Sequence, residues 1–211
     1  MYHLSQDLFF PPIDDADPYG VLAIGGDLSV ARLLLAYQSG IFPWFEEGEP
    51  ITWWSPDPRM VLFLEELVIS KSMRNILNRN LFTVTFNTHF REVITHCQKM
   101  KRDGQNGTWI TNDMIEAYCK LHALGIAQSV EVWQEGILVG GLYGVDLGHF
   151  FCGESMFSTV SNASKVAFIS LVNHLKNHNY RLLDCQVYNA HLESLGCREV
   201  DRSSFMELLK K

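Results

Sequence analysis

The chain has 211 residues, 47% of them hydrophobic, 12% aromatic and 19% charged, which is enough for one large domain with a small annex. A net charge of −7 argues against a protein that grips long nucleic acid by its phosphates, so any nucleic-acid partner would be met over a small local area. No apolar run nears the roughly 18 residues that span a bilayer, and Met1–Asp7 has neither a basic leader nor an apolar stretch, so a cytoplasmic protein without membrane contact is expected.

Residues 1–60 are rich in Pro, Gly and aromatics, as in Phe9-Phe10-Pro11-Pro12, Phe42-Pro43-Trp44-Phe45 and Trp53-Trp54-Ser55-Pro56-Asp57-Pro58. They read as a small domain of loops and short strands around one helix. Ser29 is that helix's N-cap, Val30, Leu33, Leu34 and Tyr37 share a face, and Gly40 is the C-cap. Residues 61–211 form the second domain and alternate helix and strand signals. Ser70 opens a helix ending near Arg79, and Phe82–Phe86 alternates as a strand. Phe90, Val93, Ile94 and Cys97 recur at helical spacing, and Thr111 caps a helix that carries Tyr118 and stops at Gly125. Ser129–Trp133 and Ile137–Tyr143 read as strands joined by a turn at Glu135-Gly136, followed by His149–Gly153, which ends just before Glu154. A helix over Ala163–Lys176, a strand over Arg181–Gln186, a short helix after Asn189 and a final helix capped by Asp201 complete the chain. An antiparallel meander followed by α, β, α fits an α+β fold of the GNAT acyltransferase type, a mixed, mostly antiparallel sheet that splays to admit substrate.

Four constellations could carry chemistry. Three of the five tryptophans, Trp44, Trp53 and Trp54, fall in one Pro-rich stretch; they are either a small core or a stacking surface for an unpaired base. Glu154, at the end of an apolar strand, is either a solvated charge or a buried acid aimed at a ligand. Asp184 interrupts an apolar strand, which is costly unless its carboxylate is paired or used. Gln186, two residues on, would share its strand face. Capping explains Thr111 but leaves Trp109 unexplained. Lys71, Arg74 and Arg79, or Lys99, Lys101 and Arg102, are either phosphate contacts or solvated helix faces. The five scattered cysteines form no Cys-x-x-Cys pair and the histidines lack ligand spacing, so neither disulfide framework nor metal is expected. Ser155–Lys165 holds no glycine, which disfavours a pyrophosphate-binding turn and hence a CoA donor.

Together these segments resemble the leucyl/phenylalanyl-tRNA–protein transferase family. The blocks are Gly20–Ser29, Gly40–Phe45, Trp53–Arg59, Gly107–Thr111, Gly140–Gly144, Phe151–Ser158 with Asn162–Lys165, and Asp184–Gln186. They keep the family's order and cover nearly the whole chain. The resemblance implies a GNAT-like catalytic domain behind a small N-terminal domain. It implies transfer of Leu or Phe, and less readily Met, from the 3′ end of aminoacyl-tRNA to proteins that begin with Arg or Lys, which marks them for degradation. It implies catalytic roles at Asp184, Gln186 and Glu154, and an aminoacyl-adenosine pocket at Trp44, Trp109 and Tyr118 with apolar walls at Leu142 and Met156. Some members carry Met at the position of Leu142, a volume-conserving change, and some continue beyond the point where this chain stops. A monomer without cofactor is expected.

On this reading Asp184 would hold and help deprotonate the acceptor amine, Gln186 would orient it, and Glu154 would complete an acidic pocket for the Arg or Lys side chain. Two other readings fit the same residues: an acyl-CoA-dependent N-acyltransferase, and a non-catalytic module that binds N-terminal peptides or tRNA ends.

Overall fold

The computed structural model describes residues 1–100 and 108–210. Side chains close the helices where the sequence puts caps. Ser29, Ser70, Thr111 and Asp201 accept from the backbone N–H of Arg32, Met73, Met114 and Ser204, opening α1 (Val30–Gln38), α2 (Lys71–Asn78), α4 (Asn112–Ala123) and α7 (Arg202–Leu209). Between α2 and α4 lies α3 (Phe90–Lys99); α5 (Ala163–Asn177) and the short α6 (Ala190–Glu193) follow later.

Strands β1 (Tyr2–Leu4), β2 (Val21–Gly25), β3 (Phe42–Pro43) and β4 (Thr52–Trp54) make a small sheet of order β1-β2-β4-β3. The second sheet takes β5 (Arg59–Phe63), β6 (Thr83–Phe86), β7 (Ala127–Gln134), β8 (Ile137–Asp146), β9 (Phe150–Ser158), β10 (Leu182–Gln186) and β11 (Arg198–Val200). Its order is β11-β5-β10-β9-β8-β7-β6. The β7–β8 turn places Glu135 and Gly136 at φ 52° and 77°, the positive pair that a tight hairpin uses. All neighbours in this sheet are antiparallel except β9 and β10, which α5 links as a parallel crossover. This is the α+β, GNAT-type arrangement expected.

Alternation sorts the core onto two faces. Val61 of β5 joins the cluster beneath α1, α3 and α4, while Met60 and Leu62 join the cluster beneath α5. A Cβ on Gly140 of β8 would lie 2.6 Å from Ala163 Cβ, so glycine there lets the start of α5 sit directly on the sheet. Two strands differ from expectation. β9 does not stop at Gly153 but runs on to Ser158, because β8 continues to pair with it. β5 begins at Arg59, so the residue at which the sequence divides the chain falls inside a strand. Among the described residues no helix is long and apolar enough to cross a membrane.

Candidate active site

β9 and β10 pair only through Leu182–Phe150, Leu183–Phe151 and Asp184–Cys152. Beyond Cys152, β9 follows β8 while β10 ends at Gln186, so the sheet opens between them. Each strand is bulged where they part. Tyr143 pairs with Ser155 and Gly144 with Gly153, leaving Glu154 as the extra residue. Asp184 pairs with Val61 and Gln186 with Met60, leaving Cys185 extra. A bulge re-aims side chains. Gln186 takes φ 68°, in the left-handed region that a residue with Cβ rarely adopts. Its N–H, donating to Asp184 Oδ1 at 2.9 Å, holds that turn.

Across the opening, Gln186 Nε2 donates to Glu154 Oε1 at 2.7 Å and the Tyr118 hydroxyl donates to Glu154 Oε2 at 3.1 Å. Tyr37 hydrogen-bonds Tyr118 from behind. Burial lifts the Glu154 pKa to about 7, against the opposing hydrogen bonds from Tyr37, Tyr118 and Gln186. Asp184 sits differently. It is 0% exposed, with Oδ1 2.9 Å from Arg59 Nε and Oδ2 2.7 Å from Arg59 Nη2. The guanidinium lies 4.7 Å from the ring centroids of both Phe42 and Phe205 and donates to the Gly40 carbonyl at 3.2 Å.

The opening widens into a cleft of about 430 Å³ lined by Trp44, Trp109, Glu154, Met156, Gln186 and the segment that leads into α6. Behind it, Leu142 and Met156, paired across β8 and β9, line a recess of about 80 Å³. The cleft thus gathers Glu154, Gln186, Trp44, Trp109 and Met156, with Leu142 deeper in. It does not gather Asp184 or Tyr118, which stand behind its wall, each 0% exposed. The tryptophans divide their labour: Trp53 is core and donates to the Gly25 carbonyl at 2.9 Å, while Trp54 donates to the Trp44 carbonyl at 2.7 Å and braces its ring.

Arg59, Tyr37 and the cleft wall at Val187–Leu192 were not singled out by the sequence. An arginine heading the apolar run Met60–Phe63 was the available signal for Arg59, the complement of an aspartate inside an apolar strand. Lys71 and Arg74 lie on α2 and Arg79 is its C-cap, and none of the three is in the cleft lining. Lys99 lines a separate open groove with His89 and His96, and Lys101, Arg102 and Gly107 lie outside the described residues.

Residues 61–210 match the family model for leucyl/phenylalanyl-tRNA protein transferase, and residues 26–57 match the model for the N-terminal domain of those enzymes. The leucyl/phenylalanyl-tRNA–protein transferase of Flavobacterium johnsoniae is 72% identical over 210 residues, covering 100% of this chain and 99% of its own. That of Flavobacterium psychrophilum is 66% identical over 211 residues and 100% of both chains. Among solved structures, L-PGS from Bacillus licheniformis aligns with TM-score 0.44 at 14% identity, over 80% of this chain and 54% of its own.

Proposed function

The chain belongs to the leucyl/phenylalanyl-tRNA protein transferase family, and from that premise we propose that it moves Leu or Phe, and less readily Met, from aminoacyl-tRNA to the α-amine of proteins that begin with Arg or Lys. The new N-terminus marks the acceptor for degradation. The enzyme works in the cytoplasm as a monomer, without a cofactor, and engages the tRNA by its single-stranded 3′ end. Its division into domains at 1–60 and 61–211 is supported by the separate small sheet and by the two family matches.

The observation that carries this reading is the Glu154–Gln186 pair at the floor of a cleft walled by tryptophan and methionine. Trp44 and Trp109 offer faces on which the terminal adenine stacks, worth about 1–3 kcal/mol for a base. The recess at Leu142 and Met156 takes the apolar side chain. Such a wall separates ligands by only about 1–3 kcal/mol per methylene, which accounts for leakage to Met.

The donor ester is already activated, so chemistry requires only a free amine held against the carbonyl. An α-ammonium has a pKa of about 7.7–8.0, and Glu154 sits at about 7. Proton transfer from the amine to Glu154 is therefore nearly balanced in energy, the condition for an effective general base. Gln186 binds Glu154 through its NH2, and its amide oxygen orients the amine. As the tetrahedral intermediate collapses, the C–O ester bond breaks and the ribose hydroxyl recovers the proton from Glu154. The ionised carboxylate also attracts the cationic acceptor. Asp184 is assigned here as a positioning residue, because Arg59 and the Gln186 N–H occupy its oxygens and the cleft wall covers it.

The test is transfer of labelled Phe from Phe-tRNA to a peptide beginning with Arg, with the acetylated peptide as control. Label on the free-amine peptide alone supports the reading. No label from Phe-tRNA or Leu-tRNA, with stabilisation of the protein by CoA, would replace it with an acyl-CoA enzyme; tight binding of tRNA ends without turnover would replace it with a binding module.

A further inference from the structure

The cleft differs in charge from floor to rim. The carboxylate–amide pair forms the floor, and His191 of α6 lies on the wall above it. α5 runs behind that wall, where Phe168 and Leu171 line the inner recess together with Leu192. Lys165 precedes Phe168 by three residues, so it occupies the same face of α5 one turn nearer the helix start. That puts it beside His191, the neighbour of Leu192. Their closeness is felt in the imidazole: burial and then the Lys165 ammonium hold the His191 pKa below its usual value. Lys165 is half-buried. It joins none of the ion pairs that occupy Arg59, Arg91, Lys176 and Arg198. A chain of net charge −7 thus places two nitrogen bases near one another, His191 in the cleft wall and Lys165 one turn before the recess-lining Phe168, without an anionic partner among the described residues.

We propose that Lys165 and His191 bind a phosphate of the donor's single-stranded end, the internucleotide phosphate next to the terminal adenosine. This rests on the reading that aminoacyl-tRNA occupies the cleft. A phosphate between the two side chains turns their mutual repulsion into two charge-assisted contacts and draws a proton onto His191. The rim then takes the anionic strand while the floor takes the cationic acceptor. Donor and acceptor enter from electrically opposite ends.

The experiment compares two donors, Phe-tRNA and 3′-O-phenylalanyl-adenosine, which has no phosphate, with the wild-type protein and the variants Lys165→Gln, His191→Gln and both together. The double variant is expected to raise KM for Phe-tRNA about ten-fold and to flatten the slope of log kcat/KM against log salt by about 0.7. Its KM for phenylalanyl-adenosine should stay that of the wild type. Equal losses with both donors would make the two residues plain wall and overturn the proposal, as would unchanged KM with both. If the wild-type protein used neither donor, the underlying reading would fail first, an outcome visible before any variant is made.

Discussion

Two acids flank the opening between β9 and β10, and they are handled in opposite ways. Asp184 faces a full counter-charge: Arg59 takes both its oxygens, packed between two phenylalanine rings and tied to the Gly40 carbonyl. Among the described residues Glu154 is hydrogen-bonded by neutral donors, the amide of Gln186 and the phenols of Tyr118 and Tyr37. The difference decides their chemistry. A buried carboxylate whose oxygens are both taken by a guanidinium fixes geometry, whereas one held by neutral groups keeps a proton near neutral pH and can exchange it. The first acid shapes the turn that aims Gln186 at the second.

The comparison breaks most severely at Arg59. Arg59→Met should leave Asp184 buried without its partner and cost about 3–5 kcal/mol in denaturant unfolding; a loss too small to measure would mean the pair does not anchor the turn. On the open side, Trp109→Ala should raise KM for the donor by the worth of one stacked base, about 1–3 kcal/mol, with the melting curve unchanged. Donor KM equal to wild type would move the adenine elsewhere.

A smaller effect separates the two acids by pH. The folded-state pKa of Glu154 is raised from 4.5 to about 7, so its ionisation penalises the fold progressively from pH 4.5 to 7 and fully above 7. Glu154→Gln, which mimics the protonated acid, should therefore melt higher than wild type at pH 8. That gap should close as pH falls below the unfolded-state value. A variant less stable than wild type at pH 8 would contradict the neutral-partner account. Last is Tyr118→Phe. It removes one donor to the ionised carboxylate, a class of bond worth about 1.5–3 kcal/mol net, and should move the acid limb of the pH–rate profile upward. An unmoved limb would show that Tyr118 does not hold the charged form.

Most helices and the meander were legible because caps and apolar spacing are local signals: Ser29, Ser70, Thr111 and Asp201 each close the helix they were expected to close. The long β9 was not legible, since Glu154 and Ser155 look like a strand's end and only the pairing of β8 carries the strand past them. Bulges hide for a related reason. The spacing of Asp184 and Gln186 predicts a regular strand, whereas the extra residue at Cys185 and the left-handed φ at Gln186 leave no mark in the sequence. Arg59 and Asp184 stand 125 positions apart, so each could be recognised as an oddity in an apolar strand but not as the other's partner. Tyr118 was legible as a site residue through family resemblance, yet its place behind the cleft depends on how α4 packs beneath the sheet.

The most direct measurement is the single-turnover rate of Phe transfer from Phe-tRNA to an Arg-initiated peptide, followed from pH 5.5 to 9 in the wild type and in Glu154→Gln. Removing the general base should slow transfer by about 10²–10⁴-fold and abolish the limb that rises through pH 7 in the wild type, while the variant stays folded. A folded Glu154→Gln protein that transfers at the wild-type rate with the wild-type pH profile would contradict the assignment of Glu154 as the reactive acid.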